Sequence, residues 1–148
     1  MRINKANYYL DIAESVLERS TCLRRNYGAV IVNHDEIVST GYNGAPRGRQ
    51  NCIDRNACYR EKIGVPHGER YELCCAVHAE ANAIISASRR DILGGTLYLV
   101  GKDAQTGELL TNAEPCLQCR KLIINAGIQF VVIRTRSDYF IVNVDVYN

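Results

Sequence analysis

No stretch of the chain approaches the roughly 20 consecutive apolar residues that a membrane-spanning helix needs. The opening segment, MRINKANYYLDIAESVLERSTCLRR, lacks the apolar run of a secretory leader. Both absences make the cytoplasm the expected compartment. Charge of one sign is also scarce. Eighteen Lys and Arg against 16 Asp and Glu leave a net charge of +2, too small for an electrostatic grip on long nucleic acid. A local basic pocket for one small anion stays open. The sequence has no internal repeat, no low-complexity segment and no Walker-type glycine loop, so a nucleoside triphosphate would have to be held by scattered donors. What remains is 148 residues, 47% of them apolar, which suits one domain over 1–148 with a core that needs no staples.

Cysteine is the residue in excess. There are seven, at 22, 52, 58, 74, 75, 116 and 119. The number is odd and the expected compartment is reducing, so metal ligation explains them better than a disulfide framework. The plainer reading is that several are small buried hydrophobes.

Apolar residues at helical spacing (Ala6, Tyr9, Leu10, Ala13, Val16, Leu17) predict a helix over the first twenty residues. YGAVIVN, the turn HD and EIVSTGY predict a hairpin of two strands. Residues 43 to 73, rich in Gly, Arg, Asn and Cys, predict a long loop that is functional or locally stapled. HAEANAIISASRR predicts a helix, TLYLV a strand, PCLQCRKLIINAG a helix with Pro at its entry and Gly at its exit, and IQFVVIR a strand. The tail SDYFIVNVDVYN alternates like one more strand. Strands interleaved with helices predict an α/β layered fold.

Two short stretches carry chemistry. CAVHAEANAI places His78 and Glu80 two residues apart at a helix start, and EPCLQC supplies Pro115, Cys116 and Cys119. A catalytic zinc takes three protein ligands and keeps a fourth position open. His78, Cys116 and Cys119 provide one imidazole and two thiolates, and a helix N-terminus favours thiolate over thiol. Glu80 cannot easily ligate the ion that His78 holds, but it can take a proton from water there and deliver it to a substrate nitrogen. His-x-Glu followed by Pro-Cys-x-x-Cys is the pattern of zinc nucleobase deaminases. A closed structural zinc would need a fourth ligand and would leave Glu80 without a role.

These motifs, together with STCLRRNYGAVIV, EIVSTGYNGAPRG and GERYELCCAVHAEANAI, resemble the cytidine/deoxycytidylate deaminase superfamily over about residues 8–134. GYNGAPRG is similar to the deoxycytidylate (dCMP) deaminase branch rather than to tRNA adenosine or free-nucleoside enzymes. The resemblance implies a three-layer α/β/α fold with a central mixed five-stranded sheet, and zinc-dependent hydrolytic deamination of dCMP to dUMP and ammonia, which feeds dTMP synthesis. It also implies a homo-oligomer, with a hexamer favoured, activated by dCTP with Mg²⁺ and inhibited by dTTP. The tail departs from the pattern, because relatives usually follow SDY with another helix.

For the substrate, Asn43 is a candidate for a deoxyribose hydroxyl, or else a left-handed turn residue. The free N–H of Ala79 is a candidate for the cytosine O2. Tyr139 could line the pocket or fill the core. A 5′-phosphate needs cationic donors, and Arg24, Arg25, Arg47, Arg49, Arg89 and Arg90 are the candidates, each more often a solvated charge. Cys22, Cys52, Cys58 and Cys74 would close a second, structural zinc that staples the long loop, with His67 as a possible replacement ligand. Some dCMP deaminases carry a non-catalytic zinc at the positions of Cys22 and Cys52. Two other classes stay in view: a deaminase of another substrate (tRNA adenosine, guanine, dCTP), which for tRNA should show a broad basic face, and a zinc scaffold without catalysis, which has no use for Glu80.

Overall fold

The structure, a computed structural model, describes residues 1–147. Helix α1 (Lys5–Leu17) begins at Asn4, whose side chain accepts a hydrogen bond from the Asn7 N–H at 2.8 Å. Its buried residues, Tyr9, Leu10, Ala13 and Leu17, repeat at three and four positions and so form one apolar stripe. Strands β1 (Arg25–Asn33) and β2 (Glu36–Tyr42) form the expected hairpin. The two turn residues, His34 and Asp35, both have positive φ, at 53° and 58°, as a two-residue turn matched to the strand twist requires. Asp35 is steadied there by Lys5 Nζ at 2.8 Å and the Tyr9 hydroxyl at 2.7 Å.

The segment 43–73 differs from the loop expected. It contains two short helices, α2 (Cys52–Arg55) and α3 (Tyr59–Lys62), and a 3₁₀ turn at Tyr71–Leu73. Helix α4 (Ala79–Ile85) is shorter than the sequence suggested. Ser88 caps a separate α5 (Arg89–Ile92) by accepting from the Asp91 N–H, which breaks the run that reads as continuous through Arg90. Strand β3 (Thr96–Asp103), helix α6 (Leu117–Ala126), strand β4 (Phe130–Arg134) and strand β5 (Tyr139–Asn143) follow. The tail then closes with a 3₁₀ turn at Val144–Val146, and Tyr147 returns to the core under the Arg120 guanidinium.

The sheet order is β2-β1-β3-β4-β5. Only β3 and β4 run parallel, and the crossover between them carries α6, as a parallel pair demands. Alternation along the strands gives the sheet two apolar faces. Val30, Val32, Val100 and Val132 pack on the α1 stripe. Ala29, Ile31, Leu97, Leu99, Val131 and Ile133 form the other core with Ala79 and Ala83 of α4 and Ile123 of α6. The result is the three-layer α/β/α arrangement around a mixed five-stranded sheet.

One close approach fixes the catalytic side of this stack. A Cβ on Gly41 of β2 would sit 2.4 Å from both the Ala79 carbonyl oxygen and the Ala83 nitrogen of α4. The missing side chain lets α4 lie directly on β2, where the Ser39 hydroxyl donates to the Ala83 carbonyl at 2.6 Å. Gly41→Ala is therefore expected to cost about 1–3 kcal/mol by overpacking. Thermal unfolding should show the loss, together with lower activity, because α4 carries His78 and Glu80.

Candidate metal and nucleotide site

Two helix starts converge. His78 is the residue that precedes α4, and Cys116 is the residue that precedes α6, with Cys119 in the first turn of α6. Pro115 stands before that cap, where its missing N–H leaves no partner unpaired. Packing of α4 against α6 brings His78 Nδ1 to 3.5 Å from Cys116 Sγ and 3.3 Å from Cys119 Sγ. The ligating atoms of the three lie within 4.8 Å of one another, the one such group among the described residues.

The protonation of this group shows why it fits a cation. The Cys119 thiol beside it, more than the opposing burial, pulls the Cys116 thiol down to about 4, with His78 also helping. The charge so formed, with burial and Glu80, pushes Cys119 up. Two thiolates are not tolerated side by side without a positive ion between them, and a soft divalent ion of the zinc type supplies it. Zinc suits this donor set of one imidazole and two sulfurs, and the three ligands leave a fourth position for water. Glu80, in the first turn of α4, is 5% exposed, and burial raises its carboxyl above the usual range.

A cavity of about 260 Å³ opens from this group. His78, Glu80 and Cys116 line it, and so do Tyr27, Asn43, Arg24, Arg25 and His67. Asn43 is 6% exposed and does not have the left-handed backbone considered for it. Its carbonyl oxygen accepts from the Ser20 hydroxyl and, at 2.8 Å, from the Tyr27 N–H. Its amide donates to the Arg25 carbonyl at 2.8 Å. The side chain thus ties the start of β1 to the loop after β2, and one N–H remains for a ligand. Asn43→Ala is expected to lower stability by about 1–3 kcal/mol, because two half-buried donors and one half-buried acceptor lose their partner. Chemical denaturation followed by far-ultraviolet circular dichroism measures it.

Ala79 begins α4 as expected, with its side chain fully buried in the core. Three candidates lie elsewhere. Tyr139 pairs across from Arg134, so strand alternation turns it to the α1 side of the sheet, away from the site. Arg47 is exposed in the turn at Pro46–Arg49 and does not line the cavity. Arg89 donates to the Asn125 carbonyl at 3.0 Å, near the far end of α6 and roughly 13 Å along that helix from Cys116.

Cys22, Cys52, Cys58 and Cys74 do gather, together with Cys75, on the wall of this same cavity. Burial first, and then its cysteine neighbours, push the Cys52 thiol up to about 11. They form no group of three ligands within 4.8 Å, so the expected closed site is not assembled among the described residues. Cys52 begins α2 and Cys58 precedes α3, while Cys22 lies before β1 and Cys74 follows the Tyr71–Leu73 turn, so four separate segments set where the sulfurs stand. His67 is not among them, since both of its ring nitrogens face arginines.

Sequence reasoning missed Tyr71 and Arg60. The Tyr71 and His78 rings meet edge-to-face with centroids 5.3 Å apart, and the Arg60 guanidinium lies 4.5 Å over the Tyr71 ring. Arg60 is 6% exposed and donates twice to the Glu69 carbonyl, at 3.1 and 2.7 Å. An arginine in the middle of a charged tetrapeptide, YREK, gives no signal of burial.

The profile described as "Cytidine and deoxycytidylate deaminase zinc-binding region" matches residues 3–135. A deoxycytidylate deaminase of Mycobacterium phage D29 is 40% identical over 130 residues, covering 84% of this chain and 90% of that protein. A deoxycytidylate deaminase of Schizosaccharomyces pombe is 34% identical over 129 residues, 87% of this chain but only 36% of the longer yeast protein. Among solved structures, the dCMP deaminase of cyanophage S-TIM5 in complex with dCMP and dUMP matches with a TM-score of 0.64 and 28% identity, over 91% of this chain and 84% of that one. With a matched region that spans His78, Glu80, Cys116 and Cys119, the chain belongs to the cytidine and deoxycytidylate deaminase zinc-binding family.

Proposed function

We propose that the protein deaminates dCMP to dUMP and ammonia with zinc held by His78, Cys116 and Cys119. The observation that carries this reading is the buried Glu80 carboxyl two residues from a His-Cys-Cys group whose ligating atoms are already within 4.8 Å. The phage relative of nearly equal length and the solved neighbour that holds dCMP and dUMP support the choice of substrate. Zinc, when bound, supplies the acidification of the attacking water. The protein's own side chains do the rest. Glu80 receives the proton that water gives up and passes it to N3 of the ring, then takes the remaining proton of the new C4 hydroxyl and passes it to the departing amine. A carboxyl whose proton affinity is raised by burial suits that return step. Oxygen from water replaces nitrogen at C4, and ammonia leaves. The cavity wall beyond Glu80 is left to hold sugar and phosphate.

The test is a panel of deoxycytidine, dCMP, dCTP, CMP, guanine and tRNA with the zinc-loaded protein, followed by ammonia release. Turnover of dCMP above the others is expected. Turnover of guanine or tRNA alone, or of none with zinc in place, overturns the reading.

The same proposal extends to production of dUMP for dTMP synthesis in the cytoplasm, activation by dCTP with Mg²⁺, inhibition by dTTP and assembly as a homo-oligomer, a hexamer by preference. These parts rest on the resemblance. Rate curves against dCMP that do not move on adding either triphosphate remove the regulatory part. A second zinc at Cys22, Cys52, Cys58 and Cys74 would require the loop 43–73 to close further. Two zinc ions per chain by elemental analysis support it, and one defeats it.

A further inference from the structure

The peptide carbonyls on either side of the Cys116 Cα both end on one residue, Arg120. The Cys116 carbonyl accepts from the Arg120 N–H at 2.9 Å, the first bond of the α6 ladder. The Pro115 carbonyl lies outside that ladder and has no helical donor. It accepts from Arg120 Nε at 3.0 Å instead. Pro115 is less than 2% exposed, so without the guanidinium a buried carbonyl would stand unpaired. Main chain and side chain of Arg120 together thus fix the backbone that presents the Cys116 sulfur. Arg120 does not line the 260 Å³ cavity, so it acts through Cys116 and not on the substrate.

Arg120 is itself held, and the tail of the chain does it. The Tyr147 ring centroid lies 4.9 Å from the guanidinium carbon, inside the range of about 6 Å for a cation–π contact. The Glu114 carboxylate stands 3.7 Å from Arg120 Nη2, but both side chains are partly exposed and this ion pair contributes little. Tyr147 reaches its place because the chain turns after β5. The Val144 N–H donates to the Gln129 carbonyl at 2.9 Å, and the Tyr147 N–H to the Val144 carbonyl at 2.9 Å. Both side chains then enter the core that also contains Ala113 and Ile123. The Tyr147 hydroxyl is buried with no hydrogen-bond partner among the described residues. The ring, not the hydroxyl, is therefore what stabilises this contact, since an unpaired buried hydroxyl only costs free energy.

We propose that Arg120 is a positioning residue for Cys116 and that Tyr147 clamps it, so that the tail sets how tightly the metal is held. The proposal rests on the metal assignment above and not on the choice of substrate. Loss of the Arg120 donors frees the Pro115–Cys116 peptide to turn, and the sulfur then has to be ordered when the ion binds. Loss of the Tyr147 ring lets the guanidinium swing off the Pro115 carbonyl, with the same result in weaker form.

The experiment measures zinc and cobalt affinity by chelator competition, the sulfur-to-cobalt absorption of the cobalt-loaded protein, and thermal unfolding of the metal-free protein. The parent is compared with Arg120→Met, Tyr147→Phe and Tyr147→Leu. Arg120→Met keeps the stem and drops the donors, and is expected to weaken metal binding by about 10- to 100-fold, the range for groups that orient a ligand, with a changed cobalt–sulfur band. Tyr147→Phe keeps the ring, so it should bind metal as the parent does and unfold at the same or a higher temperature. Tyr147→Leu fills the core without an aromatic face and should weaken metal binding by about tenfold, the low end of that range. A tail with a packing role alone would lower the unfolding temperature of Tyr147→Leu and leave metal affinity and cobalt band at the parent values, which overturns the clamp. Equal weakening in Tyr147→Phe and Tyr147→Leu overturns it too, because the effect would then belong to the hydroxyl. Parent-like affinity and band in Arg120→Met overturn the positioning role and leave the zinc enzyme intact. A parent protein that takes up neither ion overturns the metal assignment, and the proposal with it.

Discussion

Glu80→Gln is expected to lower kcat for dCMP by about 100- to 10,000-fold, the range for loss of a positioned proton carrier, with the fold and the zinc content retained. The substitution is nearly isosteric, so the buried space that Glu80 fills stays filled. The negative charge beside the metal group is removed, and with it a carboxyl whose proton affinity burial has raised. A residue present only to pack or to neutralise His78 would tolerate an amide well. A proton carrier would not, because an amide neither accepts nor releases a proton near neutral pH. The reading also separates binding from chemistry. Product dUMP should bind the variant about as well as the parent, while turnover falls. A kcat within threefold of the parent would show that the proton travels by another route. Steady-state rates with matched zinc content make the comparison.

Cys119→Ser is expected to lose the metal and with it all measurable turnover. Cys119 is 2% exposed, in the first turn of α6, with its sulfur 3.3 Å from His78 Nδ1. Serine keeps the size but gives no anionic ligand at neutral pH, so the ion is left with two strong ligands. Zinc analysis after dialysis should report less than the parent by one ion per chain, and added zinc should not restore activity. In the parent protein, removal by chelator should abolish turnover and zinc should restore it. Binding displaces protons from the cysteines, so affinity should weaken as pH falls through the range in which they take protons up again. A Cys119→Ser protein that keeps its full zinc and rate would mean that the ion sits elsewhere.

Much of this molecule was legible where a residue's role follows from local pattern. The strands around Ala29–Val32 and Leu97–Val100 read correctly because β-branched runs and alternation survive burial on both faces. His78, Glu80, Cys116 and Cys119 were legible because their spacing places them at two helix starts, and packing of α4 on α6 had only to bring those starts together. Tyr139 was left open between pocket and core because a one-residue change of parity turns a strand residue to the other face; the register of β5 on β4, set by the turn and not by Tyr139 itself, puts it in the core on the α1 side. His67 was held as a possible replacement ligand for the second zinc because it lies among cysteines in sequence. In space it answers to Arg24 and Arg25 at the start of β1, some 40 positions away, and no local pattern carries that. The break between α4 and α5 escaped because the helix formers continue across it. Only the Ser88 cap, a single side-chain hydrogen bond, decides it.

The most direct test of the central claim is a zinc titration of the metal-stripped protein in a solution of dCMP, with the conversion of cytosine to uracil followed by ultraviolet absorbance. Turnover that is absent at first, rises with added zinc and levels off once the His78, Cys116 and Cys119 group is filled is the predicted result. No conversion of dCMP at any zinc level, or conversion at full rate before zinc is added, would contradict the account.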